Sequence, residues 1–111
     1  MNNKFSRICL IILDSVGIGE MPDSESWGDK GADTLGNILK SRKVNLPNLQ
    51  NLGLGNIRPL ENLPPVENPI GSFGKCTLKS NGKDTTTGHW EIAGIVMERA
   101  FPTFPQGFPQ R

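Results

Sequence analysis

Thr85 and Asp14 are the residues of this chain whose types and settings point to chemistry. Thr85 opens the hydroxyl run Thr85-Thr86-Thr87, directly after Asp84. Asp84 reads as an N-cap and Gly94 as the end of a helix carrying Trp90, Ile92 and Ala93, which would put Thr85 at that helix's positive end. Backbone N–H groups in such a first turn lack helical partners and are ready to hold an anion such as phosphate. The stretch Ser80–Gly94 therefore reads as a phosphoryl-transfer site.

A threonine hydroxyl is a poor nucleophile at neutral pH, and activating it takes a nearby base, a metal, or both. A divalent cation explains more here, because it promotes proton loss from a bound oxygen acid and also neutralises charge on the transferred phosphoryl group. Oxygen donors such as Asp14 and a Thr85 alkoxide favour Mg²⁺ or Mn²⁺ over softer metals. Two donors do not complete an octahedral shell. His89, the chain's single histidine, lies four residues beyond Thr85, one helical turn along the same face. It could serve as a ligand, or as a hydrogen-bonded structural residue beside Trp90. Asp14 is equally open, since a carboxylate there could cap a loop instead of meeting a ligand. Its position relative to Thr85 decides between the two.

Two better-known phosphate motifs fail on their residues. Gly82-Lys83-Asp84 has Asp84 where a nucleotide phosphate loop needs Ser or Thr after the lysine, and Thr77 where it needs its first glycine. Gly17-Ile18-Gly19 follows an apolar run, yet the third glycine of a dinucleotide fingerprint falls on Pro22.

The positioning elements follow in chain order. Arg7–Leu13 is apolar and β-branched from Ile8 on, as expected of a strand buried on both faces of a parallel sheet. Asp14 would then stand at the strand's carboxyl end, where open α/β sheets place ligands. Met21–Ala32 reads as an irregular loop. Asp33 can cap a helix in which Leu35, Ile38 and Leu39 recur at helical spacing, with Lys40, Arg42 and Lys43 at its negative end. Asn45 with Pro47 starts a short helix lined by Leu46, Leu49 and Leu52 and closed by Gly53. From Gly53 to Gly71 four prolines predict surface chain without regular structure, and its leucines and isoleucines predict that it lies against the domain. Phe73–Ser80 alternates apolar and polar residues as a strand with one solvated face and delivers the chain to Ser80-Asn81-Gly82. Strand, tight turn and helix in that order resemble arrangements that expose a nucleophilic hydroxyl above a sheet.

With 111 residues, 35% of them apolar, and 13 glycines and nine prolines, this is a loop-rich chain with a thin supply of core side chains. That composition suits a site-bearing piece better than a compact independent fold. A net charge of +1 with scattered Lys and Arg gives no electrostatic footprint for nucleic acid. Ile8–Leu13 follows Lys4 and Arg7 as a signal peptide's apolar region would, but it is short and cut by Asp14, so no membrane role is expected. Cys9 and Cys76 lack metal-type spacing and read as reduced thiols, in keeping with a cytoplasmic setting.

The strings LDSVGIGEMPD at Leu13–Asp23, GDKGADTLGNI at Gly28–Ile38, LPNLQNLGLGNIRPL at Leu46–Leu60, SNGKDTTTGHWEI at Ser80–Ile92 and FPTFPQGFP at Phe101–Pro109 span most of the chain. In them it closely resembles the N-terminal part of bacterial phosphopentomutases, a family of the alkaline phosphatase superfamily. The resemblance implies an α/β fold with a mostly parallel sheet, a two-manganese (Mn²⁺) site and an inserted cap domain. It implies interconversion of ribose or deoxyribose 1-phosphate and 5-phosphate. It makes Asp14 a manganese ligand and Thr85 the residue that is phosphorylated and whose phosphate touches the metals, and it gives His89 no ligand role. In the implied cycle, phospho-Thr85 gives its phosphate to a pentose monophosphate, the resulting bisphosphate returns the other phosphate, and a sugar bisphosphate activator primes the enzyme. Asn37 stands where relatives commonly have His, at a position with no assigned chemistry.

The large departure from the family is length. Residues 1–111 are expected to be the N-terminal segment of the metal-binding core, ending near the core-to-cap junction, without the cap and without the C-terminal core that carries the other Asp and His ligands. Such a polypeptide is expected to be inactive by itself. Two alternatives stand beside this reading. One is another metal-dependent phosphatase or phosphomutase of the superfamily, which would keep the strand-end Asp and the hydroxyl but not the surrounding strings. The other is a non-catalytic module that binds a partner, which a monodisperse, cooperatively melting 111-residue protein would favour.

Overall fold

The computed structural model describes residues 5–109, in which short helices are joined by long loops; Lys4 and Arg111 lie outside the described residues. Helix α1 spans Thr34–Ser41, α2 spans Pro47–Asn51 and α3 spans Thr85–Ile92, with single 3-10 turns at Ser24–Trp27 and Leu54–Asn56.

Helix α1 begins where its cap residue predicts. Asp33 accepts from the Gly36 N–H at 3.1 Å and, with the same oxygen, from the Gly19 N–H at 2.9 Å. Its other oxygen pairs with Arg58. The turn after Leu13 is fastened to this helix start as well, since Leu35 N–H donates to Gly17 at 3.1 Å and the Thr34 hydroxyl to Ser15 at 3.2 Å. One aspartate thus anchors the loop that carries Asp14, the first turn of α1 and the Arg58 segment. On the inner face of α1, Leu39 is fully buried.

Helix α2 starts with Leu46 at the cap position and no side-chain cap, so Pro47 rather than Asn45 marks its beginning. It stops before Gly53, where a Cβ would meet Phe73 Cδ1 at 2.6 Å. The Gly53–Gly71 segment is irregular apart from Leu54–Asn56, and it does lie against the rest of the chain. Leu63 is buried, Asn62 donates to the Leu39 carbonyl at 3.0 Å, and Gln50 donates to Pro64 at 3.0 Å. Asn56 supplies a ladder-like pair with its side chain, donating to the Val66 carbonyl at 2.8 Å and accepting from the Val66 N–H at 3.0 Å. Leu39 and Leu63 are the core among the described residues.

Three further local readings differ from the structure. The loop Met21–Ala32 contains the 3-10 turn Ser24–Trp27, held by Glu20, which accepts from the Ser24 hydroxyl at 3.1 Å and from the Gly31 N–H. Neither Arg7–Leu13 nor Phe73–Ser80 forms a strand among the described residues. A strand is defined by the segment hydrogen-bonded beside it; Arg7–Leu13 ends in a turn bond, Val16 N–H to Leu13 at 3.2 Å, and Phe73–Ser80 is followed by a single long-range backbone bond, Asn81 N–H to Met97 at 2.8 Å, which makes no ladder. The side chains of Ile8, Leu10 and Ile11 consequently face solvent.

Candidate functional site

The chain reaches the candidate nucleophile through a turn held from both sides. On the upstream side Glu91, from the last turn of α3, accepts from the Lys79 and Ser80 N–H groups at 2.8 Å each. The Ser80 hydroxyl accepts from the Met97 N–H at 2.9 Å, and Asn81 N–H donates to the Met97 carbonyl at 2.8 Å. The contact with Ser80, followed by that with Lys79, holds the Glu91 carboxyl below its ordinary 4.5. On the downstream side Lys83 Nζ donates to both oxygens of Asp23 at 2.9 Å. Trp27 Nε1 donates to the same carboxylate at 3.1 Å, and the ammonium sits 5.7 Å from the Trp27 ring centroid. Lys83, ahead of Trp27, holds the Asp23 carboxyl below 3.8.

Helix α3 then starts at Thr85 as its capping pattern predicts. Asp84 has extended backbone and accepts from the Thr87 hydroxyl at 2.6 Å and the Thr87 N–H at 2.9 Å. Thr87, its hydroxyl first, therefore holds the Asp84 carboxyl below 3.8. This divides the three threonines. Thr87 is fully buried and spent on the cap, while Thr85 and Thr86 are exposed. His89 takes the structural option at its Nδ1, which donates to the Thr85 carbonyl at 2.8 Å within the helix.

A cavity of 680 Å³ opens beside the first turn of α3, walled by Trp27, Lys83, Asp84, Thr86, Trp90 and Phe101 among others. Trp90 and Phe101 meet edge to face with centroids 5.7 Å apart. Asp14 lies elsewhere in the hydrogen-bond pattern, in the exposed turn Leu13–Val16, and no hydrogen bond joins it to Thr85 among the described residues. No three His, Cys, Asp or Glu side chains among the described residues come together as a metal-binding group. Asp14 and Thr85 offer two oxygen donors where an octahedral ion needs a full shell, so these residues alone do not fit a resident metal pair.

The Asp23–Lys83–Trp27 clasp and the Glu91 clamp escape a reading of local pattern. Asp23 and Lys83 are 60 positions apart, and each taken singly reads as a solvated charge. The one signal available was negative: Lys83 fails as a phosphate-loop lysine, which leaves its charge free for another partner.

No family model matches the chain. Comparison with curated proteins gives a phosphopentomutase of Desulfitobacterium hafniense, 61% identical over 105 residues, covering 94% of this chain and 27% of that protein. A phosphopentomutase of Alkaliphilus oremlandii is 60% identical over 106 residues, covering 95% and 27%. One from Caldanaerobacter subterraneus subsp. tengcongensis is 56% identical over 104 residues, covering 94% and 26%. The chain spans about a quarter of the length of the curated relatives it matches (27% and 26%). Along nearly its whole length, with both Asp14 and Thr85 inside the match, the chain is therefore similar to a stretch of phosphopentomutases.

Proposed function

We propose that this chain carries the phosphate-accepting threonine of a phosphopentomutase, Thr85, acting on (deoxy)ribose 1- and 5-phosphates, and that the 111-residue polypeptide by itself does not turn over. The observation that carries this reading is the 61% identity running through an Asp84-capped helix whose first residue is an exposed threonine. In the proposed step Thr85 Oγ forms a bond to phosphorus as the bond from phosphorus to the sugar oxygen breaks, and the hydroxyl proton passes to the departing sugar oxygen. The reverse step transfers the phosphoryl group to a hydroxyl of a pentose monophosphate, with a sugar bisphosphate supplying the first charge. Manganese belongs to this reading through the resemblance, with Asp14 and Thr85 as donors beside groups from a phosphopentomutase-length protein; no step is assigned to it from these residues alone.

The reading places the chain in an α/β core with a mostly parallel sheet, to which Arg7–Leu13 would contribute a strand. A cytoplasmic setting agrees with Cys9 and Cys76, which are both free and exposed. No helix among the described residues is long and apolar enough to cross a membrane.

The test replaces the matching quarter of the Desulfitobacterium hafniense phosphopentomutase with this segment, incubates the chimera with a sugar bisphosphate, and maps phosphate by mass spectrometry. Phosphate on Thr85, lost in Thr85→Ala, is the expected result; labelling confined to another residue rejects the assignment. The 111-residue chain with Mn²⁺ should show no measurable isomerisation of ribose 1-phosphate, and turnover there would overturn the second half of the proposal.

A further inference from the structure

Gly82 leads into α3, buried at φ +141, a conformation open to glycine, and it packs on the first turn of the helix, where a Cβ would lie 3.0 Å from Thr87 Oγ1 and 3.2 Å from Asp84 Oδ2. Upstream, Glu91 and Met97 hold Lys79, Ser80 and Asn81. Downstream, the Asp84 carboxylate is occupied by Thr87 inside the helix and makes no reach outward. Lys83 is the residue there that ties the turn to a distant part of the chain.

That tie differs from an ordinary surface ion pair, which contributes little because two long side chains must be ordered in water. The Lys83 side chain is only 18% exposed, and its ammonium contacts both oxygens of Asp23. Asp23 is fixed in turn by the Trp27 indole N–H, and the indole ring lies beside the ammonium. The carboxylate belongs to the residue preceding the 3-10 turn Ser24–Trp27, which Glu20 holds separately.

We propose that Asp23 and Lys83 are positioning residues that set the orientation of Thr85 for phosphoryl transfer, by anchoring the turn between Gly82 and Thr85 to the Ser24–Trp27 segment. The inference rests on the reading of Thr85 as phosphate acceptor. Lys83 is two residues from Thr85, so the clasp acts on the backbone that leads directly into the hydroxyl's residue, and a misplacement of about 1 Å at a reacting group can cost roughly 100-fold in rate.

Two measurements test it. In the 111-residue chain, hydrogen exchange at the Thr87 and Gly88 amides should be protected and should accelerate about tenfold or more in Asp23→Asn and Lys83→Met, while the Asn37 amide in α1 and the Arg42 amide that closes it keep their rates. Lys83→Arg, and the exchange Asp23→Lys with Lys83→Asp, should restore protection to within about threefold of the parent. Unprotected amides in the parent, unchanged rates in the variants, equal acceleration in α1, or failure of both rescues would each overturn the proposal. In the chimera, the same two variants should slow phosphate transfer to Thr85 about tenfold or more with little change in half-saturating bisphosphate, and Lys83→Arg should recover the rate. Unchanged transfer onto Thr85 rejects the positioning role, whereas phosphate on a different residue rejects the acceptor reading and leaves the exchange result to judge the clasp.

Discussion

Four of the carboxylates that organise the described loops, Asp23, Asp33, Asp84 and Glu91, are held in their anionic form by their partners. Asp33 shows the balance most clearly. Burial opposes its charge, yet Arg58 and the N–H groups of Gly19 and Gly36 more than compensate and hold it below 3.8. Asp23 and Asp84 are likewise held below 3.8, and Glu91 below 4.5. A carboxyl with a lower folded than unfolded pKa binds fewer protons when folded, so its contribution is complete above the ordinary value and is lost as the pH falls through the folded one. The caps and clasps should therefore hold at neutral pH and release together in acid, beginning as the pH drops past 4.5 and 3.8. Circular dichroism against pH checks this; helical signal unchanged down to about pH 2 would contradict it. Asp33→Asn should reduce the acid dependence, because it removes the carboxylate that joins Gly19, Gly36 and Arg58.

Helix α3 was legible because its ends are decided within a few residues. Asp84 caps it, and past its end Ile95 N–H donates to Trp90 and Gly94 N–H to Glu91, both at 2.9 Å, closing a Schellman motif around Gly94 at φ +95. A Cβ at Gly94 would meet nothing within 4 Å, so Gly94→Ala tests conformation without steric interference. It should cost about 1 kcal/mol through the left-handed backbone alone, with Gly94→Asn milder, as read from thermal melts. Asp33 and α1 were legible for the same local reason. The missing strands and the Asp23–Lys83 clasp were not, because pairing partners far along the chain leave no mark in a spacing of three or four residues. Thr85 was singled out from its cap and its hydroxyl neighbours, but the division of labour among the three threonines needed coordinates, since only packing distinguishes buried Thr87 from exposed Thr85.

As a whole the molecule is open. Its radius of gyration is 17.6 Å against about 13 Å for a compact domain of this length. It exposes 9657 Å² where a compact monomer of this mass exposes about 6,000 Å². Ile8 at 90% and Ile11 at 78% exposure lie on a run whose residues are of core type, and apolar surface on this scale is unusual for a freestanding monomer. The little core that exists should be correspondingly sensitive. Leu39→Ala should cost about 2–5 kcal/mol, a large share of the stability of any domain this size, and should move the urea midpoint sharply downward. A midpoint within error of the parent would mean that Leu39 and Leu63 do not hold the chain together. Openness has one useful side. The chain's two tryptophans, Trp27 and Trp90, both wall the cavity beside the first turn of α3. Intrinsic indole fluorescence therefore reports on this corner, which Lys83 also walls, so the clasp letting go of Lys83 can be followed by emission in unlabelled protein.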